Sequence, residues 1–174
     1  MNALTKALLL GAIQIVIVLS LGGKLLYDRA TRPRVWVLCG VYDPDLPIRG
    51  RYLSQRLQVP AEGFTLSYDQ NHIANWWMNR QWAYLEVRGN GLIAEASGDA
   101  KGPGAWVNVQ KRGDSLVAFL DEPALIFIPD TAIIPTLHGH EEMWVEVTLP
   151  AKGPPRPIQL AIKKDGAFTP VKFE

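Results

Sequence analysis

The densest run of chemistry-bearing side chains in this sequence is His138-Gly139-His140-Glu141-Glu142. Two imidazoles two residues apart share a face if the segment is extended, and with Glu142 they could hold one divalent ion. His72 is the third and last histidine of the chain and would have to complete any all-imidazole set. The spacing matches no defined zinc motif. The run therefore reads first as an exposed loop entering a strand at Met143, with His138, His140 and Glu142 as its metal candidates. No metal and no other cofactor is the expectation.

Nucleophiles fare no better. Ser54, Ser67, Ser97 and Ser115 have no G-x-S-x-G context, and a Ser–Lys pair leaves no spacing signature. Cys39, in the apolar run VWVLCGV, reads as a small buried hydrophobe. Asp43 and Asp45 precede Arg49 and Arg51, an arrangement suited to an ion-paired turn rather than to acid–base catalysis. The glycines of RGNG and SGDAKGPG lack the strand–loop–helix setting of a phosphate loop. No catalytic residue is assigned.

The elements that must position these groups are short runs rich in Val, Trp, Tyr, Phe and Ile, punctuated by Gly, Pro and Asp. Strands are predicted at 35–41, 51–59, 64–68, 82–87, 92–96, 106–111, 116–120, 124–128, 143–149, 157–163 and 167–173. Hairpins are predicted at Gly89-Asn90-Gly91, Arg112-Gly113-Asp114 and Lys164-Asp165-Gly166. Along 51–59, Leu53, Gln55, Leu57 and Val59 share one face, with Tyr52 and Ser54 on the other. Residues 70–81 read as a helical turn or a loop. This pattern predicts a mainly β domain, an antiparallel sandwich or barrel, over residues 35–174.

Ahead of it lies an uncharged run, Ala7 to Gly23, dominated by Leu, Ile and Val. A membrane core of about 30 Å takes roughly 20 helical residues. With Lys24 snorkelling, Leu25 and Leu26 complete the span. The division expected is an anchor at 1–27, a connector at 28–34 and the β domain. A cleaved signal peptide ending at Ser20-Leu21-Gly22 is the alternative. Lys24, Arg29, Arg32 and Arg34 follow the run and only Lys6 precedes it, which by charge count would draw the C-terminal side into the cytoplasm.

Charge is nearly balanced, 18 Lys and Arg against 17 Asp and Glu, so no broad attraction to nucleic acid is implied. A single cysteine excludes an internal disulfide. Most of the six tryptophans are expected in the core. Trp76 and Trp77, set between polar residues, are the candidates for a membrane interface or a partner contact, with core packing and ligand stacking as the other readings.

The segment Asp43-Pro44-Asp45-Leu46-Pro47-Ile48-Arg49-Gly50-Arg51-Tyr52 resembles the start of the GDYXXLXY domain family, bacterial membrane-anchored proteins. Here the signature reads G-R-Y-L-S-Q-R-L over residues 50–57. Gly50 and Tyr52 match; Arg51, Gln55 and Leu57 stand where the family has Asp, Leu and Tyr, as in a divergent member. Phe127-Ile128-Pro129-Asp130 and Trp144-Val145-Glu146-Val147 are similar too. The resemblance implies a single-pass protein of the inner (cytoplasmic) membrane with its domain on the periplasmic side, against the charge count, and transfers no catalytic residue. On physical grounds Gly50 offers unusual backbone freedom, and Arg49 can tie Asp43 or Asp45 in a corner before Tyr52 opens a strand.

The function expected is a non-catalytic envelope protein, anchored in the lipid bilayer, whose β domain binds another membrane protein or an envelope component. The alternatives are a membrane-bound hydrolase using a metal or a Ser–Lys pair, and a module binding a small molecule or glycan through exposed aromatics.

Overall fold

The computed structural model describes residues 2–43, 52–66, 79–96, 102–129, 131–132 and 135–173. It divides into two units, one that ends at Arg32 and holds a single helix, and a β domain from Pro33 onward.

Helix α1 (Ala3–Thr31) contains Ala3–Asp28, a stretch long and apolar enough to cross a membrane. None of that stretch is buried. Two polar side chains turn back onto the helix backbone: Ser20 Oγ, within that stretch, donates to the Ile17 carbonyl, and Thr31 Oγ1, beyond it, to that of Tyr27, both at 2.8 Å. Such bonds meet the requirement that polar groups be satisfied internally in lipid. The helix runs through residues 28–31, which the sequence placed in a connector. It stops because Pro33 disfavours helical angles at Arg32, whose ψ is 148°.

The described residues of the β domain form ten strands: β1 (Arg34–Asp43), β2 (Tyr52–Glu62), β3 (Arg80–Arg88), β4 (Gly91–Ala96), β5 (Gly104–Arg112), β6 (Ser115–Leu120), β7 (Ala124–Phe127), β8 (Glu142–Thr148), β9 (Arg156–Lys164) and β10 (Ala167–Pro170). All three predicted hairpins form. Gly89 and Gly113 sit at the first turn position with φ of 62°, the geometry of a type II′ turn. Asp165 and Gly166 both have positive φ, as a type I′ turn requires. The run 64–68 does not form a strand where it is described: β2 instead continues to Glu62 and the chain turns at Gly63.

Strand β2 organises the domain because its two halves pair with different neighbours within one sheet. Its first half pairs with β1 on one edge and β7 on the other. Its second half pairs with β4 and β6, closing the five-strand barrel β2-β4-β3-β5-β6. Strands β8, β9 and β10 extend the sheet outward from β1. Every pairing is antiparallel except the closure, where Ala61 and Glu62 lie parallel to Ala94 and Glu95. The mostly antiparallel expectation holds, and the one parallel contact falls where β4, the second arm of a hairpin, closes onto β2.

Inward positions alternate as predicted: Leu53, Gln55, Leu57, Val59 and Ala61 all face the interior from β2. The core is aliphatic, and Phe64 is its one aromatic ring among the described residues. The tryptophans are the correction. Trp36 and Trp144 are half-buried, while Trp82 and Trp106 remain 43% and 46% exposed. Ala83, Ala94 and Ala118 at inward positions show the reason. A five-strand barrel has a narrow interior, and indoles do not fit it.

Candidate functional site

Where β1 leaves the second half of β2, a groove of about 530 Å³ opens across Gln58 and Pro60. Both residues alternate with the buried Leu57, Val59 and Ala61, so they present the outer face of the strand. The starts of β4 and β6 wall the groove with Gly91, Ile93, Ser115 and Val117. Strands β1 and β8 contribute Leu38, Trp36 and Trp144. The size lies within the roughly 300–1,000 Å³ of small-molecule sites, and the lining is mainly apolar with few polar groups, as such sites are.

The two indoles are held in place. Trp36 stacks on Phe168 of β10 with centroids 4.8 Å apart, and Trp144 meets the same ring edge-on at 5.6 Å. Lys163 Nζ stands 4.5 Å from the Trp144 ring centroid, and Trp144 Nε1 donates to Glu142 Oε2 at 3.0 Å. Contacts of this kind are each worth about 0.5–1.5 kcal/mol beyond burial.

Two arginines reach the groove from equivalent places. Arg88 and Arg112 each precede the turn glycine of a hairpin, in Arg88-Gly89-Asn90-Gly91 and Arg112-Gly113-Asp114-Ser115. Their surroundings differ. Arg88 donates to Glu62 at 2.7 Å, to Glu86 at 3.2 Å and to Glu95, and these carboxylates hold its guanidinium more firmly protonated than usual. Arg112 donates one long bond, 3.4 Å, to Gln58 Oε1, and no carboxylate among the described residues pairs with it.

A second cleft, about 460 Å³, lies beside the exposed Trp82–Trp106 pair. These residues face each other across β3 and β5 with rings 5.4 Å apart and nearly perpendicular. Arg80 lies 4.6 Å over Trp106 and pairs with Asp121. Gly104 makes room for the Trp82 indole, since a Cβ there would fall 2.1 Å from the ring.

The residues singled out from sequence are scattered. His138, Gly139 and His140 form a turn with Gly139 at φ 60°, so the imidazoles do not share a strand face. Glu141 accepts from the His138 backbone N–H at 3.0 Å and from Lys164 at 3.1 Å; those bonds hold its carboxyl below the usual range. Glu142 is taken by Trp144. Among the described residues no group of three His, Cys, Asp or Glu could hold a metal. Cys39 is buried, as read from the sequence; burial pushes its thiol up to about 12, and Sγ lies 3.4 Å from the Met143 carbonyl. Ser54 is buried, Ser115 lies at the groove, and neither is hydrogen-bonded to a lysine among the described residues.

Tyr52 opens β2 and packs edge-on against Phe127, its cross-strand partner, at 5.5 Å. Asp43 ends β1, where the register with β2 shifts. Asp45, Arg49, Gly50, Arg51, Trp76 and Trp77 lie outside the described residues, as do Ser67, Ser97 and Asp130. Sequence reasoning missed the groove altogether. The repeated Arg-Gly-Asn/Asp turn was its only signal, and nothing local says that two hairpins meet. The chain matches no protein-family model, no curated protein and no solved structure.

Proposed function

We propose that this chain is a non-catalytic, single-pass envelope protein whose β domain binds an envelope component in the groove across Gln58 and Pro60. The observation that carries the reading is the groove itself: about 530 Å³, mainly apolar, with two indoles immobilised at its wall. An apolar concavity of that size with a few fixed polar groups is the usual form of a small-molecule site. The helix supports tethering to the bilayer rather than free diffusion. The likeness of residues 43–52 to the GDYXXLXY family supports a bacterial inner membrane and a periplasmic domain.

Native mass spectrometry of the full chain, purified from its own membranes, tests this. A small-molecule adduct is expected on the wild type and lost in Val117→Trp, which fills the groove. Equal adducts on both proteins, or none on either, would sink the proposal.

A second reading keeps a membrane-protein partner, on the strength of the exposed Trp82–Trp106 pair and its cleft. Aromatic residues are enriched at such interfaces. Crosslinking in membranes should then give a defined multi-span product that Trp106→Ala abolishes; the same product from the variant rules it out.

A further inference from the structure

The geometry points to a single-chain carboxylate amphiphile, a free fatty acid, as the ligand of the groove, with Arg112 receiving its head group. This inference rests on the groove being a ligand site and adds the chemistry of the ligand.

The lining sets the first requirement. Leu38, Pro60, Ile93 and Val117 offer only hydrocarbon, so the body of the ligand is apolar. The groove is partly open to solvent rather than enclosed, which admits a flexible chain. Burying each methylene of such a chain contributes about 0.8 kcal/mol.

Charge sets the second. Two guanidinium groups line the same groove, but they are not equally available. Arg88 faces Glu62, Glu86 and Glu95, so its neighbourhood carries more negative than positive charge. Among the described residues Arg112 has only the long bond to Gln58, which leaves its remaining N–H donors for a ligand. A planar carboxylate can take two of those donors side by side. The carboxylates around Arg88 also bias the choice of anion: a monoanion at Arg112 is neutralised, whereas a phosphate dianion leaves a negative charge uncompensated in a groove whose other guanidinium is already outnumbered by carboxylates. A neutral alcohol leaves the Arg112 charge unused.

Photolabelling in neutral phosphatidylcholine nanodiscs holding the full chain tests the assignment. The probes are hexadecanoic acid, hexadecanol and hexadecyl phosphate, each with a diazirine at the chain end, and labelled peptides are mapped by mass spectrometry. The acid is expected to label peptides containing Leu38, Ile93 or Val117. Labelling by the alcohol and by the phosphate should be at least tenfold weaker. Arg112→Gln, a surface change that keeps the hairpin, should lower acid labelling about tenfold while leaving the melting temperature unchanged; Arg112→Lys should restore part of it.

Acid and alcohol labelling the groove equally, or Arg112→Gln without effect, overturns the carboxylate assignment and leaves the groove reading standing. Phosphate labelling as strong as that of the acid overturns the preference for a monoanion. Labelling confined to peptides outside the groove with all three probes overturns the ligand class and the groove reading together.

Discussion

Gln55 has its whole side chain inside the protein, yet among the described residues neither Nε2 nor Oε1 finds a hydrogen-bond partner. Leaving buried polar atoms unpaired costs about 1–3 kcal/mol. Gln55→Leu, of similar volume, is expected to stabilise the chain by about 1–3 kcal/mol, read from denaturant or thermal unfolding. A loss of stability instead would mean that the amide serves a partner. Alternation along β2 was enough to place Gln55 inside; its isolation was not legible, because partners come from strands distant in sequence. The reverse holds for tryptophan, whose burial depends on barrel width, which no single residue encodes. Glu141 supplies a pH test at the same scale. Its folded pKa is depressed from 4.5, so its contribution is present above that value and is lost as pH falls through the folded one. The His138 amide resonance is expected to move as the pH is lowered below about 4.5, and not to move in Glu141→Gln. A pH-independent amide in the wild type would refute the bond.

At the scale of elements, the hairpins were readable because two-residue turns with Gly or Asp-Gly constrain φ locally. The strands they join are also longer than the apolar runs suggest, since polar ends such as Arg80 and Arg112 still pair in the ladder. What local pattern could not reveal is the close approach after residue 101. Gly102 lies so near β3 that a Cβ would fall 2.3 Å from the Leu85 carbonyl oxygen, and Pro103 O accepts the Leu85 N–H at 2.9 Å. In the sequence these glycines look like loop punctuation; in the fold they are spacers. Gly102→Ala must move backbone and is expected to cost about 1–3 kcal/mol, the range for overpacking. Gly104→Ala meets only the indole of exposed Trp82, which can swing outward, so it should cost less and shift tryptophan fluorescence instead. Equal unfolding midpoints for Gly102→Ala and the wild type would show that β3 and the 102–104 segment do not pack this way.

For the whole molecule, the mainly β class followed from strand spacing, but closure of the barrel did not. The closing seam is a parallel contact of two residue pairs between β2 and β4, and everything on either side of it is an ordinary antiparallel neighbour. Choosing that seam over an open sandwich is a long-range decision made by packing. The groove follows from it, because β2 can leave β1 only if β4 takes its place. The helix poses the complementary problem, being plain in sequence while its fate depends on what processes it. It continues unbroken through Ser20, Leu21 and Gly22 to Thr31, so the small residues of the alternative cleavage site stand within a helix rather than in an extended segment. Retention is therefore the expected outcome. The membrane fraction should hold the intact 19.3 kDa chain after alkaline carbonate washing. Val16→Arg, a charge at mid-span costing about 2.5–3.5 kcal/mol on insertion scales, should move much of it into the supernatant. A phosphatase fused after Glu174 should be active if the β domain is periplasmic, as proposed. An inactive fusion in membranes that retain the intact chain would instead vindicate the flanking charges Lys24, Arg29, Arg32 and Arg34, and would place the groove in the cytoplasm.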